Sequence, residues 1–325
     1  MSVRRIAAID IGTVTTRLLV AEVSPGHVRQ LDRRTIITHL GEGWTQTGRL
    51  SEAGIARVET AVAEFVAAIA KIGVTEVRAV ATSASRDAGN AAELVERLAR
   101  HGVSCEVISG EREASLTFAG ATFGMEGEGL LVVDIGGGST ELVYGDVSRA
   151  PSDPDAEGGA TASVRIRQAR SIDVGARRLT ELFLHTDPPT GREIDEAAGW
   201  VTDEVRSYFS ALGERPREII SVAGTPTTLT AIELGMDVYD SERVHGFRLS
   251  GASVLDSFEH LAALAEAERR HVIGLEPERA SVIVAGALIL QVVLALAGLS
   301  STLVSEHDIL YGMVLDADEW AGGTV

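Results

Sequence analysis

The segment LVVDIGGGSTEL, residues 131 to 142, carries the residue types best suited to chemistry on phosphate. Apolar residues run into Asp134 and Ile135, then come Gly136, Gly137 and Gly138, then Ser139, Thr140 and Glu141. An apolar run that ends in consecutive glycines predicts a buried strand stopping in a tight loop. Without Cβ atoms, such a loop can bring its backbone close to a ligand and turn a row of N–H groups toward an anion. Asp134 and Glu141 flank this cradle with two carboxylates. Carboxylates repel phosphate unless a divalent cation, or a water to be activated, lies between. Phosphate, a metal and hydrolysis are therefore the chemistry implied.

The elements that must position this loop repeat elsewhere in the chain. RIAAIDIGTVTTRLLVAEV, near the start, has an apolar strand over Ile6–Ile9, then Asp10 and Gly12, a hydroxyl-rich turn with Thr13, Thr15 and Thr16, and a second strand over Leu18–Val23. Both segments run strand, Asp-Ile-Gly, turn, a charged residue seven after the aspartate, and strand again. Asp10 with Arg17 echoes Asp134 with Glu141, which is an internal repeat. EIISVAGTPTTLTAI gives the theme a third time, with Gly224 and Thr225 at a helix start, a second candidate anion site.

Between these segments the spacing predicts a helix over Ser51–Ile72, with Ser51 as N-cap and Gly73 at its end. A strand over Val77–Ala81 leads to a polar loop with Thr82, Ser83, Arg86 and Asn90, then a helix over Ala91–His101. The strand CEVIS ends at Ser109, and a helix begins near Glu111 and Glu113. Carboxylates suit the first turn of any helix, so the position of Glu113 alone requires no function. Residues 148–164, rich in Pro, Gly, Ser and Asp, predict a mobile surface loop between two strands. The strand-like VRIRQARSIDVG follows, then a short helix over ARRLTELFL, a longer one over Thr190–Leu212, and a last amphipathic helix in SEHDILYGMVLDADEW.

A length of 325 residues allows two domains. The net charge of −18 excludes nonspecific nucleic-acid binding, and it requires any polyanion site to be made locally positive by arginines, amides and metal. The single Cys105 excludes an internal disulfide and fits a reducing compartment. No signal peptide is expected, because IAAIDIG brings an aspartate directly after four apolar residues. Residues 280–305 carry no charge and approach membrane-spanning length, but Gln291 and the many alanines favour a central helix buried between domains. His39, His245 and His307 share no metal-ligand spacing, and no Ser, Cys or His stands out as a covalent nucleophile. Strands alternating with helices predict an α/β fold of two similar domains, with the ligand in a cleft at the strand carboxyl ends.

DIGTVTTRLLV, TSASRDAGN, ISGEREA, VVDIGGGSTEL, AGTPTTL and GLEPERASVIVAGALIL, in this order, resemble the exopolyphosphatase/guanosine pentaphosphate phosphatase family of the actin, sugar-kinase and heat-shock-chaperone superfold. The resemblance covers most of the chain. It implies two actin-like (ribonuclease H-like) domains with mixed sheets flanked by helices: residues 1–122 with a C-terminal helix from about 303 to 325, and residues 123–302. It implies Glu113 as catalytic base and Glu141 as a second required carboxylate. Asp10 and Asp134 would organise metal, Mg²⁺ or another divalent cation. Gly12, Thr13 and Thr15 would bind phosphate together with Gly136, Gly137, Gly138, Ser139 and Thr140, and Gly224 and Thr225 would add to them. Arg17, Arg86 and Arg279 would lie near the anionic substrate.

The activity so implied is hydrolysis of the terminal phosphoanhydride of inorganic polyphosphate by a cytoplasmic homodimer, with no nucleic-acid or membrane partner. The alternatives are a guanosine pentaphosphate phosphohydrolase, a kinase of the same superfold, and a non-catalytic sensor of guanosine penta- or tetraphosphate. Two departures stand out. Val14 occupies a position where the family commonly has asparagine, and Asp308 one where many relatives carry arginine. The extra helical domain of longer members is missing, which sets an expectation of short polyphosphate chains.

Overall fold

The computed structural model describes residues 3–24, 26–74, 76–149 and 162–316. Most of the loop expected over 148–164 and the end of the tail lie outside the described residues.

The chain opens with β1 (Arg4–Ile11), β2 (Thr15–Ser24) and β3 (His27–Ile37), then a single helical turn, α1 (Trp44–Thr47), and the long helix α2 (Glu52–Ile72). β4 (Glu76–Ala81) leads into α3 (Ser83–Asp87) and α4 (Ala91–Ala99), and β5 (Cys105–Val107) into α5 (Gly110–Ala121). Next come β6 (Gly127–Ile135), β7 (Thr140–Arg149) and β8 (Ala162–Ile172), followed by α6 (Ala176–Phe183) and α7 (Gly191–Leu212). β9 (Glu218–Val222), α8 (Gly224–Glu233), α9 (Ser241–Val244), β10 (Arg248–Ser250), α10 (Gly251–Ala263) and α11 (Glu266–Arg269) follow. The chain closes with α12 (Ile283–Ala297), β11 (Ser301–Val304) and α13 (Ile309–Leu315).

These elements form two compact units. One gathers the described residues of Met1–Glu128, Asp146–Arg165 and Asp308–Val325; the other gathers Gly129–Gly145 and Ile166–His307. The first unit's sheet has the order β3-β2-β1-β4-β5 and the second sheet β8-β7-β6-β9-β11, extended by β10. β1 runs antiparallel to β2 and parallel to β4; β6 and β9 are parallel, as are β9 and β11. The shared order makes the internal repeat a structural one, and both sheets are mixed and flanked by helices, the α/β class expected.

Alternation along β1 shows why its sequence is apolar from Ile6 to Ile9. Ala7, Ile9 and Ile11 join the core beneath α2, with Ile55, Val58, Val62 and Phe65. Ile6 and Ala8 join the opposite core, with Leu116 of α5 and Ile309, Leu310 and Met313 of α13. A strand covered on both faces has no polar side to show. The predicted caps of α2 are present: Ser51 accepts from the Gly54 amide and Gly73 takes the left-handed conformation.

Two expectations are corrected. α13 is buried on every side from Ile309 to Val314 rather than amphipathic, because α5 packs on it so closely that Gly120 faces the Asp308 carbonyl without room for a Cβ. The uncharged segment is not one central helix but a helix followed by the strand β11. Its helix, α12, is the core of the second unit, in contact with α6, α7, α8 and α10, which is why it is apolar all round. At about 1.5 Å per residue its 15 residues fall well short of a bilayer. Among the described residues no helix is long and apolar enough to cross a membrane.

Candidate active site

In the first unit, β1 ends at Asp10 and Ile11, and the chain turns back at once. The Gly12 amide donates to the Thr15 carbonyl at 2.8 Å, and a Cβ on Gly12 would lie 3.1 Å from that oxygen. Register places Asp10 opposite Arg17 on β2 and beside Val80 on β4. Since β4 runs parallel to β1, its carboxyl end delivers Thr82 and α3 to the same edge. There the Ala84 amide donates to Thr13 Oγ1 at 3.2 Å, and Thr82 N to the Ile11 carbonyl at 3.2 Å.

Arg17 donates to Asp10 Oδ2 through Nε at 2.9 Å and Nη2 at 2.6 Å, and its Nη1 donates to Asp308 Oδ2. The expected place of Arg17 beside substrate is thus shared with a structural duty between two buried carboxylates. Asp308 also caps α13, its Oδ1 accepting from Leu310 N at 2.9 Å. The family's arginine is therefore replaced by a residue with different work: it holds Arg17 and starts a helix. Val14, the other departure, buries its side chain, while its carbonyl accepts from the Thr38 and His39 amides.

Asp10 Oδ1 is buried and has no hydrogen-bond partner. Burial pushes the Asp10 carboxyl above its usual range, Arg17 pulls it down, and the Asp308 charge pushes it up again. An orphaned buried carboxylate oxygen is what a divalent cation satisfies. No cluster of three His, Cys, Asp or Glu exists among the described residues.

Glu113 lies in the first turn of α5, whose N-cap Ser109 accepts from the Arg112 amide at 3.2 Å. Two residues before it, Glu111 is exposed, as a carboxylate serving only the helix dipole would be. Glu113 is instead buried, and Arg86 of α3 donates to its Oε2 at 3.0 Å and to the Ile108 carbonyl at 3.2 Å. Arg86 and Glu113, 27 positions apart, form one unit.

In the second unit the turn recurs: the Gly136 amide donates to the Ser139 carbonyl at 3.0 Å. Asp134 pairs with Val222, the last residue of β9, so Ala223 and α8 start beside it. Glu141 is buried, and its Oε1 accepts from Ser139 Oγ at 2.8 Å and from Ser171 Oγ at 2.7 Å. The Thr140 hydroxyl donates to the Val174 carbonyl at 2.6 Å, so that side chain fastens the loop rather than facing phosphate.

The loop's carbonyls are taken up by the start of α6. Ala176 N donates to Gly136 O at 2.9 Å, and Arg177 N and Arg178 N to Gly137 O at 2.8 and 3.0 Å. Arg178 Nε donates to Gly138 O at 2.8 Å.

At α8, Ala223 holds a positive φ of 71° before Gly224 and Thr225. Arg279 lies so close over Gly224 that a Cβ would come within 1.7 Å of its Nη1, and Glu276 accepts from its Nε at 2.6 Å. A guanidinium at a helix N-terminus makes a doubly positive spot in an acidic protein.

Among the remaining candidates, burial pushes the Cys105 thiol up to about 12, so it supplies no thiolate. The rings of His245 and His307 stack at 4.2 Å, and His245 Nδ1 accepts from the Glu306 amide at 3.2 Å.

The description Ppx/GppA phosphatase family matches residues 19–317. The chain belongs to that family. It is 36% identical to "Exopolyphosphatase 2" of Mycobacterium tuberculosis over 332 residues, which cover 97% of this chain and 99% of the relative. Among solved structures, a protein described as exopolyphosphatase-like superposes with a TM-score of 0.87 at 35% identity, covering 97% of this chain and 98% of that one. The Ppx/GppA enzyme of Aquifex aeolicus gives 0.78 at 32%, covering 97% and 100%. The motifs that carry the resemblance are thus those of a phosphatase family. Ser171, Gly175 and Arg178 are the functional candidates the sequence reading passed over, and Asp308 is one it noted only as a departure. The signal available for the first three was the run SIDVGARR, where a glycine separates a strand from a helix beginning with two arginines.

Proposed function

We propose that the protein is an exopolyphosphatase, releasing orthophosphate from the end of inorganic polyphosphate. The observation that carries this reading is the burial of Glu113 with Arg86 as its ion-pair partner, in a chain that also retains Asp10, Asp134, Glu141 and both phosphate turns. A kinase or a passive sensor needs the phosphate turns but not a carboxylate built in this way. The named relatives add polyphosphate as the substrate to test first.

In this reading the 12–15 turn and the 136–139 turn each offer backbone amides suited to phosphate. Arg279 with the α8 N-terminus binds a phosphate further along the chain. Asp10 and Asp134 are the carboxylates, one in each unit, that would attract Mg²⁺, which when bound supplies the positive charge that offsets phosphate oxygens and carboxylates alike. Glu113 accepts a proton from water as the water oxygen bonds to the terminal phosphorus. The bond from that phosphorus to the bridging oxygen breaks, and its electron pair leaves with the chain one phosphate shorter. Glu141, fixed by two hydroxyls, helps to orient the water. The protein works among reduced thiols, consistent with its one buried cysteine.

The test is phosphate release from polyphosphate and from guanosine pentaphosphate with Mg²⁺, measured for the wild type and for Glu113→Gln. Preference for guanosine pentaphosphate would replace the substrate and leave the chemistry; release by Glu113→Gln at the wild-type rate would remove Glu113 from it.

A further inference from the structure

The segment from Ser171 to Arg178, which runs from the end of β8 into the start of α6, holds Gly136, Gly137, Gly138, Thr140 and Glu141 of the second phosphate turn. Ser171 Oγ donates to Glu141 Oε1 at 2.7 Å, and Val174 offers its carbonyl to Thr140 Oγ1 at 2.6 Å. Three successive amides, Ala176 to Arg178, hold the carbonyls of Gly136 and Gly137, and Arg178 Nε holds that of Gly138. Gly175 has φ −142°, ordinary extended backbone, so flexibility is not its reason. Its reason is space: a Cβ would stand 2.5 Å from the Gly137 carbonyl oxygen and from Gly138 N.

This pattern has a consequence for the loop's other side. In a peptide unit the C=O and the N–H point in opposite directions. When the carbonyls of Gly136, Gly137 and Gly138 are all drawn toward α6, the amides of Gly137, Gly138 and Ser139 are turned away from it together. Three glycines on their own have no such preference, because each populates many conformations. The carboxylate is treated likewise. Glu141 Oε1 accepts two hydroxyl donors, from Ser139 within the loop and Ser171 outside it, so the orientation of the acid is tied to the same segment.

We propose that Ser171 and Arg178 are positioning residues for the hydrolysis: Ser171 sets Glu141, and Arg178 with the α6 amides sets the amides of the 136–139 turn toward phosphate. Neither residue contacts substrate. The inference rests on the exopolyphosphatase reading for its substrate and on the hydrogen bonds alone for its geometry.

The test uses the full chain and tripolyphosphate with Mg²⁺. It compares kcat and KM for the wild type, Ser171→Ala, Ser171→Thr and Arg178→Met, with amide hydrogen exchange over the 136–139 turn and thermal melting as companion measurements. Ser171→Ala is expected to lower kcat about ten- to a hundredfold while KM stays within about threefold, and Ser171→Thr, which keeps the hydroxyl, to recover most of the loss. Arg178→Met is expected to raise KM about tenfold and to speed exchange of the Gly136 amide, which closes the turn on the Ser139 carbonyl, by a similar factor, with melting little changed.

Wild-type kcat in Ser171→Ala, equal impairment of the Ala and Thr variants, or unchanged exchange in Arg178→Met each overturns the proposal. If the wild type releases no phosphate, the functional reading fails on its own. The exchange rates then decide this inference, since they need no substrate: faster exchange in Arg178→Met upholds it and unchanged exchange ends it.

Discussion

Glu111 and Glu113 stand two residues apart on one helix and do different things. Glu111 faces solvent at a helix N-terminus; Glu113 is buried against Arg86. The same contrast separates Arg17 from Arg279. Arg17 is spent between Asp10 and Asp308, while Arg279 stands over a helix N-terminus. The Asp308→Asn variant keeps the cap on Leu310 but loses the charge that shares Arg17, so Arg17 turns its whole charge on Asp10. Removing one partner of a buried pair costs about 3–5 kcal/mol; because Asp10 remains as partner, the loss measured by denaturant unfolding should be about 1–3 kcal/mol. An Asp10 more fully neutralised by arginine attracts a cation less. The Mg²⁺ concentration for half-maximal activity should therefore rise about three- to tenfold in that variant.

At the scale of elements, close backbone approach decides what glycine is for. In the α5–α13 contact, a Cβ on Gly120 would lie 1.9 Å from the Asp308 carbonyl oxygen, and one on Gly312 would lie 1.9 Å from the Leu116 carbonyl oxygen. Gly199, within α7, has nothing within 4 Å. Gly199→Ala should therefore stabilise by about 0.5–1 kcal/mol through helix propensity. Gly120→Ala and Gly312→Ala should destabilise by about 1–3 kcal/mol or more, because helix backbones must separate. Thermal melting of the three variants separates the cases.

The start of α7 gives a pH prediction. Glu193 accepts from the Thr186 hydroxyl and from the Thr190 and His185 amides, which lowers its carboxyl from 4.5 to about 2. A depressed carboxylate adds stability that is fully present above 4.5 and lost as pH falls toward about 2, since the unfolded chain takes up the proton first. In Glu193→Gln, acid unfolding followed by circular dichroism should lose that part of its pH dependence.

Much of this level was legible in the sequence. β1, β6, α2 and the 224–225 turn follow from apolar runs, caps and glycines, which are local signals. β3 was not legible: its 11 residues, HVRQLDRRTII, include five charged or imidazole side chains, and it is a strand because β2 pairs with it along its length. β11 was hidden in the apolar stretch after α12, where pairing with β9 and β10 separates strand from helix. The two glycine turns were visible as motifs, but what holds them was not. Ser171 meets Glu141 across 30 positions and Asp308 meets Arg17 across 291, and such contacts leave no periodicity.

At the scale of the whole molecule, a charge of −18 must coexist with an anionic substrate. In the proposed reading the two units share one device: a tight Asp-Ile-Gly turn, whose carboxylate would attract a cation beside amides that favour an anion. Burial raises the folded-state value of Asp10, so the stability from its neutral form is full below 3.8 and lost as pH rises through the raised value. At neutral pH the metal-free protein therefore bears a cost that cation binding offsets. Mg²⁺ at a hundredfold excess over its Kd should stabilise by about 2.7 kcal/mol, visible as a higher Tm than in chelator. The Asp10→Asn variant should lose that response.

The central claim is that a buried glutamate on α5 activates water against phosphate gathered by the glycine turns. Phosphate release from polyphosphate by the wild type and by Glu113→Gln, both folded by circular dichroism, tests it directly. We expect turnover by the wild type and a kcat lower by about 10²–10⁴-fold in the variant. Equal rates from the two proteins would contradict the account.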